Sequence, residues 1–201
     1  MQRPFPYNLY KNHAFKPVMN FPKPLQPVLL NENSYPDSVK SMNWQVGGYL
    51  ENRKGMYSSE LYKATRYIHL GIDVWAPAGE PVFAISDGVL YGVKDNNNHL
   101  DYGPTVILAH EIEEITFYML YGHLSRDSLK DLRPGQQFKA GELVARLGDF
   151  EENGGWVPHL HVQLGLSEPI GVDMPGVCAP DEIEYHRNMH PDPRFVLGPL
   201  Y

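Results

Sequence analysis

Glycine and proline punctuate this chain so densely that no long helix can run through it, with 18 of each among 201 residues. Proline fixes φ and removes a backbone donor, and glycine loses the most freedom on ordering, so both favour turns over element interiors. From about residue 44 the pattern is one of short β segments divided by Gly, Pro and Asp-Gly signals. The candidate strands are Pro81–Ile85, Gly88–Val93, Thr105–His110, Ile115–Tyr121, Leu143–Leu147 and His159–Leu164. Thr105, Val106, Ile107 and Leu108 form a nearly continuous run suited to a strand covered on both faces. Ser125–Leu132 reads as a short helix with Ser125 as N-cap, and Asp181–Met189 as another that Pro191 ends. The expected class is mainly β with few short helices.

Residues 1–43 show neither period and carry Pro4, Pro6, Pro17, Pro22, Pro24 and Pro27. Their apolar content (Phe15, Val18, Phe21, Leu25, Val28, Leu29 and Leu30) argues for an arm packed on a domain rather than a free tail. The expected organisation is this arm, a β domain over 44–170, and an extension over 171–201 with a short helix. A net charge of -7, with Lys and Arg scattered singly, argues against a nucleic-acid partner. The single cysteine, Cys178, allows no disulfide within the chain. Residues 1–17 lack the apolar run of ~7–15 residues that a signal peptide needs, and nowhere are there the ~18 apolar residues of a membrane span. The expectation is a cytoplasmic chain with no membrane partner, and a mature secreted chain renumbered from a new start is the alternative.

Two segments concentrate metal-binding chemistry. In YIHLGIDVW, His69 and Asp73 are three residues apart with Gly71 allowing a bend, and imidazole and carboxylate both suit zinc. A surface histidine beside a turn aspartate makes the same spacing. In WVPHLHVQLG, His159 and His161 lie two apart in a strand-like segment, so both point to one face. One could ligate while the other acts on bound water or substrate. His123, in YGHL, follows a β run and a glycine. Each piece alone has an ordinary structural explanation, but chance rarely assembles all of them in this order. Three ligands with one open position is also the arrangement of a catalytic zinc, whereas structural sites are closed by four.

At these residues the sequence resembles the lysostaphin/LytM-type zinc metalloendopeptidases. The resemblance covers roughly residues 66–166 and includes DVWAPAGEPVFAISDGVL and LRPGQQFKAGELVARLGD. It implies an antiparallel β-sandwich (a barrel-sandwich hybrid) with a metal groove on one face. It also implies one zinc per chain held by His69, Asp73 and His161, with His123 and His159 as catalytic residues. The chain departs from the pattern at EENGGWVP, which puts Trp156 near the groove, and at Gln163, where a glutamate is frequent. GGYLENRKGMY and HPDPRFVLG lie outside the secreted core and look like the cytoplasmic peptidase-like modules fused to aminotransferases and kinases.

The implied function is zinc-dependent hydrolysis of amide bonds, as an endopeptidase on glycine-containing or peptidoglycan-type peptides. A cytoplasmic zinc amidohydrolase acting on a small substrate is one alternative, and a non-catalytic zinc-binding partner module is another. Two neutral imidazoles and a carboxylate would leave a zinc site at a net charge of about +1, enough to pull the pKa of a bound water towards ~7. His110 is expected to be structural, and His13, His99, His186 and His190 solvated. Tyr121 and Trp156 are candidate groove residues. An arm side chain, with Asn31, Asn33 and Asn43 available, could occupy the open zinc position and keep the enzyme latent.

Overall fold

The computed structural model describes residues 9–22, 24–30, 44–54, 56 and 65–201. Asn31, Asn33 and Asn43 lie outside the described residues. The strands are β1 (Gln26–Pro27), β2 (Gln45–Gly47), β3 (Ile68–His69), β4 (Ile72–Trp75), β5 (Pro81–Phe83) and β6 (Gly88–Asn96). They continue with β7 (Gly103–Ile112), β8 (Ile115–Gly122), β9 (Gln137–Phe138), β10 (Leu143–Arg146), β11 (His159–Gly165) and β12 (Val177–Cys178). Eight of them form one sheet in the order β1-β2-β4-β11-β8-β7-β6-β9, while β10 pairs β5 and β12 pairs β3. Every pair is antiparallel except β1 with β2. The mainly β class expected from the punctuation is the class observed, and each candidate strand is present within a few residues of its expected bounds.

The two-residue period of a strand sorts the large sheet into two faces. On one face Ile72, Val74, Val106, Leu108, Phe117, Met119, Leu160, Val162 and Leu164 join the main core. Val82, Val144 and Ala145 of the β5–β10 pair cover them, together with Leu9, Val18, Met19 and Leu25 of the N-terminal stretch and Val196 and Leu200 near the C-terminus. The intervening residues of the same strands (Asp73, Ile107, Leu120, His159, His161 and Gln163) occupy the other face, all buried. Because β11 is covered on both faces, its sequence HLHVQLG carries polar chemistry at odd positions and core residues at even ones.

The helices are shorter than the sequence suggested. Ser125–Leu132 reduces to a single turn, Arg126–Leu129, and Ser125 makes no side-chain cap. Its hydroxyl meets Ser128 Oγ at 2.7 Å, and the first amide of the turn, Arg126 N, donates instead to Glu152 Oε2 at 2.7 Å. Asp181–Met189 is a 3-10 turn over Pro180–Glu182 running into the helix Ile183–Met189. None of the described helices is long and apolar enough to cross a membrane.

Candidate metal centre

His69 ends β3, Asp73 lies in β4 and His161 in β11. The chain bends at Gly71, which carries it from the small β3–β12 ladder into the large sheet. Glycine is also needed there for space, since a Cβ would lie 2.5 Å from His161 Cε1. Register does the rest: His161 pairs with Asp73 on one side and with Gly122 on the other. After Gly122 the backbone of His123 turns into the left-handed region at φ 62, which takes its side chain out of the ladder and towards the same face.

The protonation pattern follows from what each ring nitrogen meets. A carbonyl oxygen can only accept, so a ring nitrogen beside one carries the proton. His69 Nδ1 donates to Gly48 O at 3.0 Å. Gln163 Nε2 donates to Pro175 O at 3.1 Å, which orients its amide so that Oε1 accepts from His161 Nε2 at 3.0 Å. The remaining nitrogens, His69 Nε2 and His161 Nδ1, therefore present lone pairs, and they lie 3.0 Å apart. Asp73 Oδ1 lies 3.0 Å from His161 Nδ1 and 3.3 Å from His69 Nε2.

Three lone pairs thus converge with no proton between them, which is repulsive unless a cation sits among them. Zinc at bond lengths of ~2.0–2.1 Å would set tetrahedral ligand atoms ~3.3 Å apart, close to the separations seen. Among the described residues this trio is the cluster of His, Cys and carboxylate groups able to hold a metal. The donor set therefore fits zinc, and all three residues line a groove of about 330 Å³. His69, Asp73, Tyr102, His123, Trp156, His159 and His161 line that groove, with Met174–Val177 along one wall.

His123 and His159 stand together on the groove side, their ring centroids 4.1 Å apart. His123 Nδ1 donates to Asn153 O at 2.8 Å, and His159 Nδ1 to Val157 O at 2.7 Å, so both present a bare Nε2. His159 Nε2 lies 3.8 Å from Asp73 Oδ1. Burial pushes the pKa of His159 down to about 4 against the opposing pull of Asp73. Burial, then the neighbouring His159 and His161, holds His123 well below the usual histidine range. Burial likewise lowers His69 to about 4, with Arg53 adding to it. For Asp73 burial alone would raise the pKa, but its neighbours His69, Arg53 and His159 hold it well below the usual carboxylate value. Burial thus keeps His69, His123 and His159 neutral and Asp73 stays a carboxylate, the protonation states in which such groups can serve a zinc site.

All five residues singled out from the sequence meet at this one place. Trp156 lines the groove as expected, whereas Tyr121 does not: it is an odd residue of β8 and lies in the core. His110 is buried away from the groove with Nδ1 3.0 Å from Asp87 O. Of the four histidines expected to be solvated, His99 is exposed, but His13 and His186 are half-buried and His190 is buried. His190 stacks on His186 with ring centroids 5.6 Å apart, because the helix Ile183–Met189 docks against the end of β11.

Sequence reasoning missed several residues around the site. Arg53 Nη1 pairs with Asp73 Oδ2 at 2.5 Å. Tyr102, from the turn before β7, donates to Met174 O at 3.2 Å and closes one wall. Asn153 is fully buried, caps Trp156 N at 2.9 Å through its side chain and supplies the carbonyl that orients His123. An asparagine before two glycines is a turn signal, and Gly154 and Gly155 do have φ of 95° and 84°; nothing comparable marks Arg53.

A family model described as Peptidase family M23 matches residues 67–170. Peptidoglycan DD-endopeptidase ShyC of Vibrio cholerae is 35% identical over 111 residues, which is 53% of this chain and 23% of that protein. DD-carboxypeptidase/endopeptidase Mpg of Neisseria meningitidis is 31% identical over 112 residues, 54% of this chain and 23% of the relative. The matched region thus spans less than a quarter of either relative's length. Among solved structures, the catalytic domain of lysostaphin from Staphylococcus simulans aligns with a TM-score of 0.48 at 22% identity, over 76% of this chain and 98% of that one. The match to the family model takes in more than half of the chain and contains the whole His-Asp-His cluster with both flanking histidines, and the chain belongs to peptidase family M23.

Proposed function

We propose that this chain hydrolyses amide bonds of peptidoglycan-type peptides as a zinc endopeptidase. The observation that carries the reading is the convergence of three proton-free ligand atoms, 3.0–3.3 Å apart, beneath a groove that two further neutral histidines face. A zinc ion held by His69, Asp73 and His161 would supply a Lewis acid for the scissile carbonyl and activate a water. His69 and His161 are fixed for this by Gly48 O and Gln163 Oε1, so each keeps one lone pair aimed inward. The bare Nε2 atoms of His123 and His159 would accept a proton from the attacking water and return it to the leaving amine. Their rings are too close for both to be charged, so protonation of one keeps the other neutral and able to accept a hydrogen bond. The peptidoglycan substrate rests on the names of the relatives ShyC and Mpg.

The test is to load the purified chain with zinc and challenge it with cross-linked peptidoglycan fragments, pentaglycine and a panel of unrelated cytosolic peptides, reading products by mass spectrometry. Cleavage of the cell-wall peptides is expected. Cleavage confined to the cytosolic panel would move the substrate to the cytoplasm, and zinc binding with no hydrolysis of any substrate would make the chain a binding module.

A further inference from the structure

Asp73 uses only one of its two oxygens towards the converging ligand atoms. Oδ1 lies 3.0 Å from His161 Nδ1, while Oδ2 is taken by Arg53 Nη1 at 2.5 Å. Arg53 is itself held from its other side, with Nε 2.7 Å from Glu51 Oε2. The remaining oxygen of Glu51 accepts from the backbone of the N-terminal stretch, Leu30 N, at 2.7 Å. All three charged side chains are buried, with side-chain exposures of 7% for Glu51, 4% for Arg53 and 3% for Asp73.

A buried, charge-alternating row of this kind makes stringent demands. An isolated guanidinium would be costly here, but Glu51 and Asp73 flank it on two edges, as the planar fork of arginine allows and a lysine does not. The positive charge of Arg53 lowers the pKa of both His69 and Asp73. The row also adds direction: with Oδ2 held by Arg53, Asp73 presents Oδ1 to the nitrogens of His69 and His161. The same segment supplies Gly48 O to His69 and, through β2, pairs Gly47 with Asp73. Gly47 must be glycine, because a Cβ there would lie 2.7 Å from Arg53 Nη2 and 2.6 Å from Trp75 Cη2. Residues 44–53 all lie before the block that matches the family, which starts at residue 67.

We propose that Arg53 is a positioning residue for the metal: braced by Glu51, it fixes Asp73 as a one-oxygen ligand, so the metal site is completed from a segment outside the family-matched block. This rests on the zinc reading above. Outer partners of metal ligands typically contribute roughly 10–100-fold to metal affinity.

The experiment measures the zinc dissociation constant of the full chain by competition with a chromogenic chelator, alongside near-ultraviolet circular dichroism of the metal-free protein. Arg53→Gln is expected to weaken zinc roughly 10–100-fold with the fold retained, Arg53→Lys to recover part of that loss, and Glu51→Gln to weaken zinc several-fold. A purely structural brace would lower the unfolding temperature of the metal-free protein and leave zinc affinity unchanged. Folded Arg53→Gln with zinc affinity within about two-fold of wild type would overturn the proposal. If Arg53→Gln fails to fold, unchanged affinity in both Arg53→Lys and Glu51→Gln overturns it. Failure of the wild-type chain itself to bind zinc would instead overturn the metal reading on which it rests.

Discussion

Gly71 shows how little room the candidate metal centre leaves at the scale of single residues. It sits between two of the proposed ligands and against the ring of the third, where a Cβ would come 2.5 Å from His161 Cε1 and 2.9 Å from Val162 O. The backbone side of that contact cannot yield, so the imidazole must. Gly71→Ala is therefore expected to displace His161, to destabilise the metal-free fold by about 1–3 kcal/mol, and to weaken zinc binding more than tenfold. Urea unfolding and metal titration of the same preparation check both parts. The five chemistry-bearing side chains were legible in the sequence because their spacing couples to strand geometry: two apart on a strand means one face, and a glycine beside a ligand means close approach. Arg53, Tyr102 and Asn153 were not legible, because each reaches the site from a separate loop or short strand and only tertiary register brings it there.

At the scale of elements, the long strands declared themselves through β-branched and aromatic runs, and the short ones did not. β3, β9 and β12 are two residues each, below the length at which any periodicity can be read. The β7–β8 hairpin is a more instructive case. Its two-residue connection is Glu113-Glu114, with φ of 51° and 65°, the left-handed pair that a type I′ turn requires and that Asn-Gly would normally supply. Glutamate pays a steric cost at each position. Replacing the pair by Glu113→Asn with Glu114→Gly is expected to stabilise the chain by about 1 kcal/mol. The expected sign in urea unfolding is a higher midpoint at unchanged slope, and a lower midpoint would contradict this account of the turn. The helix Arg126–Leu129 teaches the converse lesson. Ser125 has the composition of an N-cap, yet Glu152 from the loop leading to β11 takes that role, which ties the loop carrying Asn153 to the strand ends around His123.

Across the whole molecule, buried neutral histidines make the fold sensitive to acid. His110 is the cleanest case because it is remote from the proposed ligands. Its Nδ1 donates to Asp87 O at 3.0 Å and its ring stacks on Phe117 at 5.1 Å. Burial pushes its pKa down to about 4 from 6.5. Between those values the unfolded chain binds the proton and the folded one does not, so the stabilisation is present above 6.5 and is lost as pH falls towards about 4. Wild-type stability is expected to fall between about pH 7 and about pH 4.5, and His110→Asn to reduce that fall by on the order of 2 kcal/mol. An equal fall in the two proteins would show that His110 titrates normally in the fold. The same desolvation keeps His69, His123 and His159 neutral, which is the state in which they can hold a metal and accept protons. Acid therefore threatens the fold and the site together. The most direct test of the central claim is the zinc content of the purified chain and its variants. Wild type and His123→Ala are expected to carry about one zinc per chain, and His69→Ala and His161→Ala to carry almost none. Stoichiometric zinc in His161→Ala would contradict the assignment of His69, Asp73 and His161 as the metal ligands.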